Sequence, residues 1–435
     1  MIKGGRVIDP ARGFDRTADL LVLAGRIREI TDRPRSASVA AEIETIDAEG
    51  CIVAPGLLDI HVHFREPSPT HPETIATGSA AALAGGFTTV CCMPNTTPPL
   101  DSVEMIEFVR QRTIEARGAR VLPIGCATIG RKGESPAPIG AMARAGAVGF
   151  TDDGDPVADA AVLARVLKLI KAADSVFMQH CQELSLTRDA SMNAGPIATK
   201  LGLVGWPAVA EEIMLERDIR LNRPIGARYH AQHLSTAGSA EILRAARQAG
   251  EPVTGEVSPH HLLLTDEACD GYNTQAKMNP PLRTQRDIDA LKQAVAEGVI
   301  SILATDHAPH PEDRKKTDFA SAAFGIVGVE CALALYIKAL IDDGVLDWPR
   351  MLAMMTIDAA RVVGLDRHGF GTLAVGGPAD ITIIDPELAW TIDISEFRSA
   401  GRNCPFDGWR VKGRAIATIV GGQVRHRRAR ERITA

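Results

Sequence analysis

The stretch Asp59-Ile60-His61-Val62-His63-Phe64-Arg65 closes an apolar run that begins near Cys51, and it therefore predicts the end of a buried strand. Side chains alternate between the two faces of a strand, so we expect His61 and His63 to point to the same side. Two adjacent imidazoles, preceded by an aspartate and followed by an arginine, form half of a site for a divalent metal ion. A lone His-x-His pair fits a polar strand end equally well, so the rest of the chain must decide.

The middle of the chain alternates between two kinds of segment. From residue 51 to about residue 345, apolar β-rich runs are followed by alanine-rich segments of helical period, for example residues 157–173 and 236–249. Eight such pairs predict an α/β fold, a (β/α)8 barrel of the TIM type, which we assign to residues 51–367. The predicted strands end near His63, Pro94, Thr128, Asp153, His180, His233, Ser258 and Asp306.

The two flanks of this region have a different pattern. Residues 1–50 and 368–435 contain short alternating segments at 19–24, 379–384 and 415–420, separated by glycine turns. Chain ends commonly lie near one another in folded domains. We therefore expect both termini to build one small β-domain beside the barrel.

Composition excludes several classes of protein. The 435 residues are 45% hydrophobic and 23% charged with a formal net charge of -6, which is typical of a soluble globular protein and does not indicate nucleic-acid binding. An arginine-rich tail at residues 425–432 is interpreted as a solvated end. The eight cysteines show no CxxC spacing, which favours reduced, buried thiols. The N-terminus lacks a signal-peptide core and no apolar stretch is long enough for a membrane span, so we expect a cytoplasmic protein.

Six polar residues fall at the predicted C-terminal ends of strands 1, 4, 5, 6 and 8, the face on which barrel enzymes assemble their active sites. Four imidazoles and two carboxylates suit two divalent ions with one carboxylate bridging them. Zinc is the first expectation, at one or two ions per subunit, while manganese and cobalt remain alternatives. The candidate ligands are His61, His63, Asp153, His180, His233 and Asp306.

Several longer stretches make the pattern more specific. They are APGLLDIHVHFREP, GGFTTVCCMPNTTPP, FTDDGDPV, KMNPPLR, ATDHAPH and FGIVGVE, with GGPADITIIDP opening the C-terminal strands. In these stretches the chain resembles the bacterial type I dihydroorotases of the metal-dependent amidohydrolase superfamily, and the resemblance covers nearly the whole length. Ser68 stands where that family commonly has glycine, and we expect only a local change in the loop.

The resemblance implies a reaction. It is the reversible cyclisation of N-carbamoyl-L-aspartate to L-dihydroorotate with release of water, the third step of pyrimidine synthesis. In the hydrolytic direction a metal would polarise the ring carbonyl and activate water, and Asp306 would act first as general base and then as general acid.

The substrate carries a carboxylate, for which a guanidinium offers a planar pair of donors. Arg65 and Asn95 are therefore expected to clamp it. The resemblance implies further substrate contacts from His63, Asn279, His310 and the backbone of Phe324 and Gly325. Residues 310–321 form a polar stretch that resembles a mobile lid, with an ordinary solvated loop as the alternative.

The bridging position is ambiguous from the residues alone. Either Asp152 or Asp153 could face inward, because adjacent strand residues point in opposite directions. The resemblance favours Asp153. Many relatives place a carboxylated lysine in the bridging role, but this chain has no lysine near the end of strand 4. We expect a direct aspartate bridge, which is shorter than a carboxylated lysine, and we therefore expect the two metal sites to differ in affinity.

The remaining polar residues receive weaker predictions. Asp59 is expected to accept a hydrogen bond that supports the histidines of strand 1. His230 is expected to face away from the site if His233 faces it. His260 and His261 are interpreted as a polar strand end rather than as donors to the metal ligands. We expect Cys91 and Cys92 to lie in the core, and we assign no role to His71, His368 and His426.

Two other functions are considered beside the leading one. A hydantoinase or allantoinase would use the same metals on another ring, but a buried arginine would then lack its anion. Some dihydroorotase-like chains have lost their metal ligands and act as structural partners of aspartate carbamoyltransferase; retention of all six candidate ligands argues against that as the sole role. A small-molecule substrate, a homodimer, and a complex with that transferase are the expected partners.

Overall fold

The N-terminal part of the chain forms one half of a mixed β-sheet. The computed structural model describes residues 1–32 and 44–428. Its first five strands are β1 (Ile2–Asp9), β2 (Phe14–Leu23), β3 (Arg26–Thr31), β4 (Ile46–Asp47) and β5 (Ile52–Pro55). Strands β1, β2 and β3 form an antiparallel meander, and β1 pairs in parallel with β4 and β5.

Parallel strands then form the barrel, and two short strands form a separate pair. The barrel strands are β6 (Leu57–Val62), β7 (Phe87–Cys92), β8 (Arg120–Pro123) with its continuation β9 (Gly125–Cys126), β10 (Phe150–Thr151), β11 (Val176–Gln179), β14 (Arg228–Ala231), β15 (Val253–Val257) and β16 (Ile302–Leu303), while β12 (Met192–Asn193) pairs with β13 (Gly205–Trp206). The barrel closes where Val62 pairs in parallel with His307. Each barrel strand ends one to three residues before its predicted position, and the predicted (β/α)8 barrel is confirmed.

Helices follow the barrel strands as the periodicity predicts. Two predicted helices, 157–173 and 236–249, are observed as Ala160–Ala172 and Ala237–Gln248, because Asp159 and Thr236 cap their first turns through side-chain oxygens. The other principal helices are Ile75–Gly85, Val103–Ala116, Ile139–Ala145, Val209–Asn222, Gln285–Ala296 and Ala332–Tyr336, the last continuing as the π-helical Ile337–Asp342. Shorter helices are Leu184–Thr187, Pro196–Leu201, Pro259–Leu263, Glu312–Lys315, Trp348–Met354 and Ile357–Val362.

The C-terminal part of the chain completes the sheet that the N-terminus began. Strands β17 (Ile381–Thr391), β18 (Arg410–Val420) and β19 (Gln423–Arg427) are antiparallel to one another. Strand β17 also pairs antiparallel with β5, so the order is β19-β18-β17-β5-β1-β2-β3. The expectation that both termini build one β-structure is confirmed. Residues 429–432 of the arginine-rich tail lie outside the described residues.

The apolar run from Cys51 to Val62 is two strands rather than one. Strand β5 belongs to the terminal sheet and β6 to the barrel, with Gly56 between them. A Cβ at Gly56 would lie 2.1 Å from Oγ1 of Thr88, so only glycine allows this close approach. We therefore propose Gly56, rather than the end of residue 50, as the boundary between the two parts. Periodicity could not reveal the division, because both strands are buried on both faces.

Apolar side chains fill the barrel interior below the site. Leu58, Ile60, Cys91 and Met93 pack there, whereas Cys92 packs in the layer between strands and helices. All eight cysteines are buried and free, as expected for core residues. Among the described residues, no helix combines the length and apolar character needed to cross a lipid bilayer.

Candidate metal centre and active site

The two histidines of the opening motif converge at the end of β6. His61 is fully buried, His63 is 4% exposed, and their ring centroids lie 5.2 Å apart. The backbone N–H of His63 donates to the carbonyl of His307 at 2.8 Å, which extends the parallel pairing past the end of the strand. Both rings therefore face the same space, as their spacing predicts.

Asp153 lies at the centre of the four histidines. Its Oδ1 is 3.5 Å from Nε2 of His61, 3.5 Å from Nε2 of His233 and 3.8 Å from Nδ1 of His180. Its Oδ2 is 3.4 Å from Nε2 of His63. One carboxylate is thus shared by four imidazoles from three different strand ends.

Asp306 follows β16, the strand that lies next to β6 where the barrel closes, and its side chain reaches the same cluster. Its Oδ1 is 3.0 Å from Nε2 of His63 and 3.4 Å from Nε2 of His61. His180 and His233 are also close, with Nδ1 of the former 2.8 Å from Nε2 of the latter. The structure therefore brings together all six residues that the sequence singled out as candidate ligands.

Two observations indicate that these six side chains fit a metal centre. Their ligand atoms form three overlapping groups, each with its atoms within 4.8 Å of one another: His61, His233 and Asp306; His61, His63 and Asp153; Asp153, His180 and His233. Nε2 of His61 and Oδ1 of Asp153 are buried, and neither has a hydrogen-bond partner among the described residues. Polar atoms are rarely left in that condition unless a ligand satisfies them. Two of the three groups share Asp153, and this arrangement suits two adjacent ions better than two distant ones.

The neighbouring aspartate has a different environment. Asp152 accepts hydrogen bonds at Oδ1 from the backbone N–H groups of Ala127 and Thr128, both at 3.0 Å, and its Oδ2 accepts from the Thr128 hydroxyl. These contacts hold the loop after β9 against β10. Of the two candidates for the bridging position, the structure directs Asp153 into the cluster and Asp152 away from it.

Backbone conformation explains how two of the ligands reach the cluster. His233 has φ 30° and Asp306 has φ 48°, both in the left-handed region that non-glycine residues rarely adopt. The left-handed conformation of His233 interrupts the alternation of side chains after the end of β14. His230 consequently faces inward, not away as predicted, and its Nε2 lies 3.0 Å from Oε2 of Glu256. The prediction was wrong because it extended strand geometry beyond Ala231, where the strand ends.

Glu256 is the main residue that sequence reasoning missed. This fully buried carboxylate on β15 lies 2.5 Å from Nδ1 of His61 and accepts the backbone N–H of His233 at 3.1 Å. Asp59, predicted to support the strand 1 histidines as a hydrogen-bond acceptor, accepts the backbone N–H of His61 and also both donors of Thr305. The signal for Glu256 was present, because a carboxylate within an otherwise apolar barrel strand requires a partner.

The buried charges hold one another in defined protonation states. Burial disfavours a charged ring, but the carboxylates around His61, Glu256 above all, outweigh it and raise its pKa. Burial likewise opposes ionisation of Asp153, yet the charge of His61 and the close approach of the His233 ring hold its pKa well below the usual range. Burial lowers the pKa of His180 to about 4, so this ring is neutral, as a metal ligand must be.

A cavity of about 460 Å³ opens above the cluster. The predicted substrate-binding residues Arg65, Asn95, Asn279 and His310 line it together with five of the candidate ligands, all except His61. Burial lowers the pKa of Arg65 to about 10, which leaves the guanidinium charged at neutral pH. Nε of Arg65 and Oδ1 of Asn279 are buried without a partner in the described chain, so one donor and one acceptor are available to a ligand.

Asn95 connects the cavity wall to the cluster. Its Oδ1 lies 2.8 Å from Nδ1 of His63 and 3.5 Å from Nη1 of Arg65. Gln182, a second residue that sequence reasoning missed, makes the equivalent link on the other wall: its Oε1 lies 3.0 Å from Nε2 of His180 and 3.5 Å from Nδ2 of Asn279. Both amides therefore contact one candidate ligand and one cavity residue.

Phe324 and Gly325 also line the cavity, but the Phe324 carbonyl and both backbone groups of Gly325 already have partners. The Phe324 carbonyl accepts from Nε2 of His310 at 2.6 Å, and the Gly325 N–H donates to the Lys277 carbonyl at 3.0 Å. Gly325 has φ 144°, and a Cβ there would lie 2.8 Å from the His310 ring, which excludes larger residues. These backbone groups shape the wall and hold His310 in place.

The stretch predicted as a lid, residues 310–321, follows His310. It contains the short helix Glu312–Lys315, and Phe319 inserts into a hydrophobic cluster with Met278 and Leu282. Its residues also contribute Arg314 to the cavity wall. Movement of this segment as a lid stays a prediction.

The other histidines lie outside the cluster. His260 and His261 are buried against Ser258, whose hydroxyl lies 2.8 Å and 2.7 Å from their rings. His71 lies beside His310, with ring centroids 6.2 Å apart. His307, which the sequence did not single out, closes the barrel and accepts at Nδ1 from the backbone N–H of Gly328.

A second cavity, of about 560 Å³, lies at the opposite end of the barrel. Arginines line it, among them Arg228, Arg247, Arg350 and Arg361, but none of the candidate ligands does. Barrel enzymes assemble their active sites at the C-terminal ends of the strands. We therefore assign the function to the smaller cavity, above the cluster.

Known proteins resemble this chain along almost its whole length. A model of the family described as Dihydro-orotase-like matches residues 50–239. The chain is 45% identical over 427 residues to the dihydroorotase of Syntrophotalea carbinolica, covering 98% of this chain and 99% of that protein. It is also 45% identical over 424 residues to the dihydroorotase of Pelotomaculum thermopropionicum, covering 98% and 97%.

Solved structures share the architecture. The L-hydantoinase (dihydropyrimidinase) of Arthrobacter aurescens superposes with a TM-score of 0.85 at 26% identity, covering 97% of this chain and 95% of that one. The fold of the barrel with its terminal sheet is thus shared with that hydantoinase, and the sequence relatives identify the family more specifically. The chain belongs to the dihydroorotase family.

Proposed function

We propose that this protein interconverts N-carbamoyl-L-aspartate and L-dihydroorotate plus water, in the de novo synthesis of pyrimidines and hence of UMP. The observation that carries the proposal is the placement of a charged guanidinium, that of Arg65, in the wall of a cavity whose floor is the six-residue cluster. A cyclic amide bearing a carboxylate fits that combination, because the amide would face the cluster and the carboxylate the arginine.

The residues that would hold metal are the six of the cluster. We infer zinc, at one or two ions per subunit, because imidazole and carboxylate are ordinary zinc ligands. A bound divalent ion would supply Lewis acidity that polarises the ring carbonyl and lowers the pKa of water toward neutrality. The side chains that would hold it are His61, His63, Asp153, His180, His233 and Asp306.

Asp306 is the residue proposed to move the proton. Burial opposes its ionisation, but the neighbouring charges of His61 and His63 hold the pKa of Asp306 below its usual range. The carboxylate is therefore ready to accept a proton from the attacking water. It would then deliver that proton to the ring nitrogen that leaves, and it would run the same steps backwards during ring closure.

Substrate orientation would come from the cavity wall. Arg65 and Asn95 are proposed to bind the carboxylate, and Asn279 and His310 to contact the ring. His63, which Asn95 holds through Nδ1, would contact the substrate as well as the metal. Phe324 and Gly325 are proposed to cover the ring and exclude water.

One assay separates this function from its alternatives. Purified protein is given L-dihydroorotate or hydantoin, ring opening is followed by ultraviolet absorbance, and metal content is measured on the same sample before and after chelation. We expect dihydroorotate to be hydrolysed only by the metal-loaded protein. Hydrolysis of hydantoin alone would assign another cyclic amide, since the Arthrobacter relative is an L-hydantoinase. No turnover and no metal, even after zinc is added, would favour a scaffold role.

The assembly and location of the protein are also proposals. We propose a cytoplasmic homodimer that can associate with aspartate carbamoyltransferase, on the strength of the family resemblance. Sedimentation of the protein alone and co-elution with the transferase test these two associations separately.

A further inference from the structure

Two fully buried lysines lie behind the wall of the active-site cavity, and the proposed mechanism uses neither of them. Lys277 and Lys315 are each 1% exposed. Neither forms an ion pair with any carboxylate of the described chain at salt-bridge distance. Buried ammonium groups are costly unless they are well compensated, so their arrangement requires an explanation.

Each lysine donates across the gap between two segments of the wall. Lys277 belongs to the segment that leads to Asn279, and its Nζ donates to the carbonyls of Phe319 at 2.7 Å and Ala320 at 2.8 Å. Lys315 belongs to the loop that begins at His310 and donates in the opposite direction. Its Nζ reaches the carbonyls of Thr274 at 3.0 Å and of Lys277 itself at 3.1 Å.

Further contacts reinforce this reciprocal pair. The ammonium of Lys277 lies 4.3 Å from the centroid of the Phe324 ring, within the range of a cation–π contact. The Thr274 hydroxyl donates to the Lys315 carbonyl at 2.7 Å, and the Gly325 N–H donates to the Lys277 carbonyl at 3.0 Å. Four carbonyl oxygens thus accept the hydrogen bonds of two buried amino groups.

We propose that Lys277 and Lys315 are positioning residues that lock the two walls of the substrate cavity together. One wall carries Asn279 and the other carries His310, Phe324 and Gly325. The lock sets the distance between side chains that must touch the same small ring. The inference rests on the proposed function for the identity of that ring, but the lock itself concerns only these two segments.

The consequence for binding follows from the geometry. Without the ammonium donors the loop from His310 to Gly325 keeps its hydrophobic anchor at Phe319 and its two other hydrogen bonds to residues 274–277, but it loses the four side-chain hydrogen bonds that fix its register against them. Substrate would then have to order the loop on binding. We expect the cost to raise KM more than it lowers kcat, because the cluster that performs the chemistry is untouched.

The test uses Lys315→Met and Lys277→Met, since methionine keeps the length and removes the charge. The matched control is Lys316→Met, because Lys316 is the exposed neighbour and forms a surface ion pair with Glu312. Hydrogen exchange of the peptide covering residues 317–327 is measured by mass spectrometry, with strand β17 as internal reference. We expect exchange in that peptide to rise at least about tenfold in either variant, and KM for dihydroorotate to rise by a similar factor, with zinc content unchanged.

The double variant adds a sharper criterion. If the two lysines form one lock, the second substitution adds little to the exchange rate of the first. Unchanged exchange and KM in both single variants would overturn the proposal, as would an equal effect of Lys316→Met. Melting temperature does not decide the matter, because replacing a buried charge by an apolar side chain is often neutral or stabilising.

Wild-type protein supplies a criterion that needs no variant. The amides of Ala323 and Gly325 donate to the carbonyls of Arg314 and Lys277, so their exchange should be slow in the free enzyme. Exchange as fast as in an exposed loop would contradict the lock even if the variants fail to fold. This readout is also independent of activity, so failure of the proposed reaction and failure of the lock are distinguishable.

Discussion

Oε1 of Glu256 lies 2.5 Å from Nδ1 of His61, and both side chains are fully buried. The contact places a His61 proton on Nδ1, so that Nε2, which faces Asp153 and Asp306, is the nitrogen that could bind metal once it has lost its own proton. Because the same oxygen accepts the backbone N–H of His233, one carboxylate fixes candidate ligands from two strand ends. The contact between Glu256 and His61 lies beneath the cluster, and neither side chain lines the cavity or reaches solvent.

Replacement of Glu256 by glutamine should weaken metal binding. The amide keeps the shape but loses the charge that orients His61, and removal of such supporting groups typically lowers metal affinity about 10–100-fold. A competition titration with a fluorescent zinc indicator measures the effect. Glu297→Gln is the matched control, since Glu297 pairs with Arg244 at the surface. Equal zinc affinity in the two variants would contradict the role assigned to Glu256.

The environment of Glu256 predicts that the free energy of unfolding of the metal-free protein depends on pH. Burial opposes its ionisation, but the charge of His61 and hydrogen bonds from His230 and His61 lower the pKa of Glu256 from 4.5 to about 2. A carboxylate with a depressed pKa stabilises the fold above its unfolded value, and that stabilisation is lost as pH falls through the folded value.

We therefore expect the chelated wild type to exceed Glu256→Gln in free energy of unfolding at neutral pH. The difference should shrink as pH falls from about 4.5 toward 2, the window between the two pKa values. Denaturant unfolding at a series of pH values checks this, as far down as both proteins stay folded. A difference that stays constant across the acid range would count against ionisation of Glu256 in the fold.

Asp306→Asn should abolish most of the turnover while the fold persists. The amide cannot carry the proton between water and the leaving nitrogen, and loss of a general acid–base group costs about 10²–10⁴-fold in rate. kcat for dihydroorotate is compared with that of Asp289→Asn, an exposed aspartate on the helix Gln285–Ala296. Near-normal kcat in the Asp306 variant would remove it from the proposed mechanism.

Arg65→Ala should act on substrate binding. A hydrogen bond to a charged group contributes about 1.5–3 kcal/mol, so KM should rise by about tenfold or more. The substitution should leave zinc content unchanged, because no guanidinium atom belongs to the ligand cluster. Arg244→Ala, at a surface ion pair, is the control. An unchanged KM would exclude Arg65 from the carboxylate clamp.

Asparagine substitutions at the two adjacent aspartates should affect different properties, stability for Asp152 and zinc binding for Asp153. Asp152→Asn disturbs a carboxylate that accepts from Ala127 and Thr128, and it should lower the free energy of unfolding by about 2 kcal/mol while zinc binding persists. Asp153→Asn should lose zinc affinity with a smaller change in stability. Thermal melting and zinc titration of both proteins decide this, and a reversal of the two patterns would show that Asp152 faces the metal.

The periodicity of the chain predicted the barrel because its signal is repeated eight times. Helix starts were also predictable where a residue such as Asp159 or Thr236 supplies the cap. The division at Gly56 was not, since two strands that are both buried give one unbroken apolar run. Such a division depends on which strand each half pairs with, and that is a property of distant residues.

The six candidate ligands were predictable because each stands at a strand end, whereas the orientation of His230 and the role of Glu256 were not. His230 was placed wrongly because the left-handed conformation of His233 is invisible in a pattern of alternating side chains. Glu256 was missed because its role comes from a residue 195 positions away, His61. Pairing across the barrel, rather than local spacing, determines such contacts.

The joining of the two chain ends in one sheet has a consequence for the order in which the protein matures. Strand β6, which carries His61, begins beside Thr382, whose hydroxyl accepts the Leu57 N–H across a separation of 325 residues. During synthesis on the ribosome, the segment bearing the first two histidines is made early but lacks this partner until nearly the whole chain has emerged. We therefore expect metal to be bound late in the maturation of the chain, and we expect a truncated chain that lacks its last strands to leave the site near its beginning without this support.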